Sequence, residues 1–205
     1  MLKIKSKYKI AKRLGAGIFE QTQTQKFALS EARSKNAKSS RGRRGASDYG
    51  RQLLEKQRVR FTYGLSERQL SNYAKKAFSQ PNPTAALHKA LEMRADNAAY
   101  RAGIAKTRRA ARQIISHGHV TINGKRITIP SYQVRKGDIV AVREGSRASS
   151  LFARLTDPDE ASEISKSAWI VLDQPLMKAE VVGEPSYGGA ESGIDYPAVF
   201  EFYSR

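Results

Sequence analysis

The chain has 205 residues, 40 % of them apolar, enough for one large domain or two small ones with real cores. Lys and Arg number 37 against 19 Asp and Glu, a formal net charge of +18, which points to a polyanionic partner: nucleic acid first, an anionic membrane surface second. No apolar run approaches the ~18 residues of a membrane span, MLKIKSKYKIAKRL has no signal-peptide core, and the absence of cysteine excludes disulfides, thiolate metal sites and thiol catalysis.

The charge is uneven along the chain. Residues 1–76 hold 20 basic and 5 acidic side chains, a net of +15; residues 77–150 hold 13 and 4, a net of +9; residues 151–205 hold 4 and 10, a net of −6. A polyanion surface is therefore expected from the first three quarters. The acidic tail is expected to face solvent, a basic protein or the basic body of the chain itself.

Residues 1–46 read as a basic, partly extended arm. Within it KNAKSSRGRRGAS (35–47) is nearly devoid of apolar residues. Alone in water it should be mobile and should order against phosphates, with Arg41, Arg43 and Arg44 as the contacts. Residues 47–93 read as a helical lobe. Ser47 or Asp48 caps a helix that carries Leu53, Leu54, Val59 and Phe61 and ends at Tyr63–Gly64. Ser66 and Gln69 have capping-box spacing, and Leu70, Tyr73, Ala74 and Ala77 form one stripe. QPNPT breaks the chain at 80–84, with Thr84 a candidate cap for the next helix.

A third helical region spans 85–102, with Leu87, Leu91, Ala95, Ala98 and Ala102 in period and Gly103 as its stop. Thr107 then caps RRAARQIISHG. There Ala110, Ala111, Ile114 and Ile115 make the apolar arc, Arg108, Arg109 and Arg112 the neighbouring arc, and Gly118 the stop. The period changes next. Val120–Ile122, the hairpin signal Asn123–Gly124 and Lys125–Ile127 predict two antiparallel strands with Thr121 opposite Arg126. Ser131–Val134, the Arg135–Asp138 turn and strand Ile139–Val142 follow, so 94–150 reads as a compact helix-helix-hairpin module. Residues 151–205 form a C-terminal segment expected to pack on the helical lobe. It includes a helix interrupted near Pro158, a strand at Trp169–Asp173, a loop at GEPSYGG and a terminal strand or ordered tail at Val199–Tyr203. The fold class is α+β: a helical lobe from the N-terminal and C-terminal segments plus a compact module of two helices and short strands.

His117 and His119 invite a metal reading. His88 is the only other histidine, no HExxH occurs, and the surroundings are basic, so no metal or other cofactor is expected. The pair reads instead as a helix stop and a contact to solvent or phosphate. No paired carboxylates suit acid–base catalysis. Asp96 reads as an ion-pair partner of nearby arginines, Asp138 as a turn former, and neither LGAGIF nor RGRRGAS matches a phosphate loop. No enzymatic activity is expected. Arg108, Arg109 and Arg112 with Lys125 and Arg126 suit one phosphate tract. The helix pair also suggests a DNA-binding helix-turn-helix, but its exposed face is almost all arginine and lacks Asn or Gln for base reading, which favours folded RNA.

These motifs carry a family resemblance. R94-A-D-N-A-A-Y-R-A-G103, T107-R-R-A-A-R-Q113, H117-G-H119, N123-G124, I129-P-S-Y-Q-V134 and G137-D138 resemble the RNA-binding core of the fourth protein of the bacterial-type small ribosomal subunit. Similar modules are appended to RNA-modifying enzymes and a tyrosyl-tRNA synthetase. S47-D-Y-G50, L53-x-E-K-Q57, Y63-G-x-x-E-R-Q69 and F200-E-F-Y-S-R205 are similar to the ribosomal protein itself, over about residues 43–205. Without cysteines the chain resembles the zinc-free form.

The resemblance implies a primary binder of small-subunit ribosomal RNA that clamps a multi-helix junction early in assembly and contributes to decoding accuracy. It implies contacts with neighbouring small-subunit proteins, the fifth above all, and with messenger RNA near the path by which it enters, with no membrane partner. The location implied is cytoplasmic, in the small subunit, with an organellar ribosome as the alternative. By resemblance Asp48, Tyr49, Gln52, Lys56, Arg58 and Arg68 fall in the RNA-facing helical region. Arg94, Asn97, Thr107, Arg108, Arg109, Arg112, His117, His119, Asn123 and Gly124 fall in the central module. The charged members are expected to meet phosphates, and Asn123 and Gly124 to shape the turn. The alternatives are a non-ribosomal RNA chaperone or regulator, and the RNA-binding module of an RNA-modifying enzyme.

Overall fold

A computed structural model describes residues 4, 6–39, 47–155, 167–188 and 193–204. Their contacts define two units, Met1–Thr84 with Gly188–Arg205, and Ala85–Tyr187. The division differs from the one expected at 93/94 and 150/151. Residues 167–187 enter the second unit because Trp169, Ile170, Met177, Ala179 and Val181 join its core, and among the described residues beyond 150 only the last stretch belongs to the helical lobe.

In the first unit, α1 (Lys7–Leu14), two 3₁₀ turns (Ala16–Ile18, Glu20–Thr22) and α2 (Gln25–Ser39) occupy the arm expected to be partly extended. Ala11, Leu14, Ile18, Phe19 and Phe27 bury one another, with Leu54 and Phe61 packed alongside. Each short element contributes only one or two of these residues, so no local period announces the cluster. Helix α2 reaches into the stretch expected to be mobile; Arg41, Arg43 and Arg44 lie outside the described residues.

Helix α3 (Asp48–Thr62) starts where Ser47 Oγ accepts from the Gly50 amide. Helix α4 (Glu67–Phe78) opens on the reciprocal Ser66–Gln69 capping box. The residues expected as a terminal strand or tail fall in a helix, which packs on α3 and α4. The physical reason is a helical stripe: Tyr196, Val199, Phe200 and Tyr203 recur at helical spacing, Asp195 caps the Ala198 amide, and Pro197 sits in the first turn where no amide is needed.

The second unit starts at Ala85, within α5 (Pro83–Glu92), which Pro83 rather than Thr84 initiates; the Thr84 hydroxyl donates to Asn82 Oδ1 at 2.8 Å. The single helical region expected over 85–102 is two helices, α5 and α6 (Ala95–Arg101). Arg94 between them is extended (φ −68°, ψ 141°) and bridges to Gln133. Amides of Ala95 and Asp96 donate to the carbonyls of Tyr132 and Pro130, so the 130–134 loop supplies the acceptors that would otherwise continue the helix. No Gly or Pro marks this break.

Helix α7 (Arg108–Ser116) is capped by Thr107 and stopped at Gly118, whose φ of +73° suits glycine. Five antiparallel strands follow in the order β2-β1-β3-β5-β4: β1 Val120–Ile122, β2 Lys125–Ile127, β3 Ile139–Val142, β4 Ile170–Asp173, β5 Lys178–Val181. Thr121 pairs with Arg126 as expected. Val120, Ile122, Val140, Val142, Ala179 and Val181 turn inward onto Ala98, Ala111, Ile114 and Ile115. The helix expected from residue 150 is a 3₁₀ segment, Ser150–Leu155, whose Phe152 and Leu155 enter this core; Pro158 lies outside the described residues.

Candidate nucleic-acid interface

The α5–α6 break places two carboxylates among four arginines. Glu92 at the end of α5 and Asp96 in the first turn of α6 are each 1 % exposed. Asp96 accepts from Arg94 Nε (3.0 Å) and Nη2 (2.9 Å), from Arg112 Nε (2.7 Å), and from the Asn97 amide (3.0 Å). Glu92 accepts from Arg101 Nε (2.6 Å) and Nη2 (3.0 Å), with Arg108 Nη2 at 3.6 Å. A buried anion is tolerable only when paired and hydrogen-bonded, and here each carboxylate meets two guanidinium groups.

Arg108 is held on three sides. Its Nε donates to Asn97 Oδ1 (3.2 Å), its guanidinium lies 4.5 Å from the centre of the Tyr100 ring, and Glu92 stands behind. Asn97 is fixed in turn by donating to the Leu91 carbonyl at 2.6 Å. The three arginines of α7 therefore differ. Arg108 and Arg112 are mostly covered, with side chains 17 % and 15 % exposed, whereas Arg109 stands out in solvent. Arg94 is buried outright, so its charge serves Asp96.

The far end of α7 meets the hairpin. Arg126 Nη2 donates to the His117 carbonyl at 3.2 Å, and a Cβ on Gly118 would run into the same guanidinium. Lys125, Arg126 and His117 are exposed. Helix α7 is nine residues long, about 14 Å at 1.5 Å per residue, so Arg108 and Arg126 mark its two ends. His119 is half-buried, its Nδ1 3.0 Å from Ser146 Oγ. Asn123 (φ +51°) donates from Nδ2 to Asp138 Oδ1 (2.8 Å) and accepts from the Ile139 amide (2.9 Å), which pins the hairpin tip to the neighbouring turn. No His, Asp or Glu cluster suited to a metal occurs among the described residues.

In the first unit the candidates divide again. Asp48, Tyr49 and Arg68 are exposed. Gln52 and Lys56 are buried: Gln52 Nε2 donates to Glu201 (2.9 Å), and Lys56 Nζ donates to Glu67 (2.9 Å) while lying 4.3 Å from the centre of the Phe202 ring. Arg58 donates to Glu55 (2.6 Å) and to the Leu14 carbonyl (3.0 Å). Glu67 also accepts from the Tyr203 hydroxyl at 2.9 Å. Burial raises the Glu67 carboxyl, but hydrogen bonds from Lys56 and Tyr203 and the nearby Arg60 outweigh it and hold it below the ordinary range. Burial, then Glu67, push the Tyr203 hydroxyl well above its ordinary value.

Sequence reasoning missed Glu92 and Tyr100 as parts of the arginine array, and Glu67, Glu201 and Tyr203 as the partners that draw Lys56 and Gln52 inward. A signal for the first existed: Glu92 and Asp96 are spaced four apart and are the sole acids in a long basic stretch.

A helix pair and hairpin bearing a pinned arginine array define an S4-type module: the model described as S4 domain matches residues 93–140, and that described as Ribosomal protein S4/S9 N-terminal domain matches residues 3–93. The chain is 42 % identical over 198 residues to Small ribosomal subunit protein uS4 of Roseiflexus sp. (strain RS-1), covering 96 % of each chain. It is 38 % identical over 198 residues to the protein of that name from Chloroflexus aurantiacus (strain ATCC 29366 / DSM 635 / J-10-fl), again with 96 % of each chain covered. With that of Borrelia duttonii (strain Ly) it shares 36 % over 202 residues, 98 % of this chain and 96 % of the relative. The chain belongs to the uS4 family of small ribosomal subunit proteins.

Proposed function

We propose that this protein is a structural, ribosomal-RNA-binding component of the small ribosomal subunit, which clamps folded RNA through phosphate contacts and performs no covalent chemistry. The observation that carries the reading is the α7 face of the S4-type module, with exposed Arg109, the outer parts of Arg108 and Arg112, and Lys125, Arg126 and His117 toward its far end. Family membership over nearly the whole chain supports the ribosomal setting. In the first unit Asp48, Tyr49 and Arg68 are the accessible candidates, while Gln52 and Lys56 act as scaffold. The basic residues Arg41, Arg43 and Arg44 are proposed to follow the phosphate backbone. The finer roles are a primary binder at a multi-helix junction, a neighbour of the fifth small-subunit protein, and a contributor near the path by which messenger RNA enters. The setting is a cytoplasmic ribosome. No helix among the described residues is long and apolar enough to cross a membrane.

Footprinting on small-subunit ribosomal RNA tests this directly. The expected result is protection at a helical junction, with affinity falling steeply with salt as counterions are released. Arg109→Ala should weaken binding and lower the salt slope by about one while leaving the fold unchanged. A purified chain that protects no ribosomal RNA, or that fails to remain with small subunits through a high-salt wash, overturns the reading in favour of a non-ribosomal regulator.

A further inference from the structure

We infer that Glu92 and Asp96 are positioning residues that turn a basic surface into one able to select a folded RNA over an arbitrary polyanion. The inference rests on the RNA-binding reading above and goes further by assigning selectivity to two acids that touch no nucleic acid themselves.

The argument begins with entropy. An exposed arginine carries up to about 2 kcal/mol of rotamer freedom, which is lost when it settles on a phosphate. Arg109 is in that position. Arg108 and Arg112 are not, because Asp96 grips Arg112 by Nε, while Asn97, Glu92 and the Tyr100 ring fix Arg108. Their freedom is already lost when the module folds, so binding is preorganised. Each acid is also held by a second arginine: the buried Arg94 forks onto Asp96 and the partly exposed Arg101 forks onto Glu92, so neither carboxylate is free to follow Arg112 or Arg108. Asp96 thus has one buried guanidinium and one that reaches the surface, whereas both partners of Glu92 are partly exposed.

Electrostatics alone would favour removing both acids. In a chain of net charge +18 that binds an anion, two carboxylates under the binding face lower its attraction for every phosphate. Their effect is useful only if geometry matters more than total charge. A flexible cation matches any phosphate spacing. A guanidinium held in one place matches the spacing of one folded backbone, which is how folded RNA is told apart. The two acids therefore trade general affinity for selectivity.

The test uses the full-length chain with a small-subunit ribosomal RNA fragment and with heparin as a shapeless polyanion. Asp96→Asn and Glu92→Gln keep shape while deleting one negative charge each and turning one accepting oxygen into an amide donor. Expected is a loss of at least ~10-fold on the ribosomal RNA fragment, the scale of one charge-assisted contact, with heparin affinity unchanged or higher. Circular dichroism and thermal melting identify variants that remain folded. If the acids are merely structural, folded variants keep the wild-type ratio of the two affinities, and the inference is overturned. Should both variants unfold, Arg112→Lys decides: it keeps the charge and loses the fork. Selective loss on the RNA fragment supports the inference, and an unchanged ratio overturns it. A wild-type chain that does not prefer the ribosomal fragment to heparin sinks the functional proposal itself, a distinguishable outcome.

Discussion

Two charge clusters, one in each unit, handle acid–base pairs in opposite ways. In the helical lobe, Glu67 and Glu201 are about half exposed and hold cations or amides drawn from α3, with Lys56 going inward to meet Glu67. In the module the acids are buried and the arginines reach outward from them. The acid's depth sets the cation's task. A lysine led inward by a surface carboxylate joins helices, and an arginine anchored from below by a buried carboxylate presents a fixed face to solvent. Basic residues of similar appearance in the sequence therefore end as glue in one unit and as an outer surface in the other.

The contrast can be broken most forcefully at Asp96. Asp96→Ala removes the carboxylate from Arg94 and Arg112 in a buried setting, an expected loss of about 3–5 kcal/mol in the second unit by urea denaturation. A loss near that of an ordinary surface pair would show the acid to be dispensable. Gly118→Ala probes the hairpin end of the same face. The positive φ and the clash with Arg126 should together lower stability by about 1–2 kcal/mol, with the β1–β2 amide resonances shifting in an NMR spectrum.

In the lobe the corresponding change is milder. Tyr203→Phe deletes one hydrogen bond to a half-exposed carboxylate and should lower the melting stability of the first unit by about 1 kcal/mol. Acid gives the subtlest comparison. Burial holds His88 below its ordinary 6.5, Glu92 opposes that shift and Arg101 adds to it, and the Tyr187 ring lies 5.6 Å away. The unfolded chain therefore takes up this proton first. The stability it contributes is complete above pH 6.5 and lost as the pH falls through the depressed folded value. Glu67 follows the same sign from a lower start, 4.5. Hydrogen exchange at stepped pH should show the module loosening before the lobe, and His88→Gln should remove the early step.

Much of this was legible wherever the code is local. The Ser66–Gln69 box, the Thr107 cap, the Asn123–Gly124 turn and the Thr121–Arg126 register depend on residues a few positions apart, and each stands as the spacing implies. The α1–α2 cluster was not legible, because Ala11, Ile18 and Phe27 meet across three elements. The α5–α6 break was hidden because its apolar period runs through uninterrupted, while the acceptors that divide it come from residues 130–132. The same holds for Lys56: its destination depends on Phe202, far away in the sequence. Val199–Tyr203 is helical because the signals that start the helix, Asp195 and Pro197, lie just upstream of the stretch expected as a strand or ordered tail.

Helix Tyr196–Tyr203, α8, closes a unit whose other helices lie more than a hundred residues earlier, through Gln52–Glu201 and Tyr203–Glu67. The module between is one continuous stretch, 85–187. During synthesis that stretch emerges whole and is free to fold while the lobe still waits for its last helix. At roughly 5–20 residues per second the wait is on the order of ten seconds. Throughout it the apolar faces of α3 and α4 lack the cover that α8 supplies, so the emerging chain stays open to clumping and proteolysis until that helix is made.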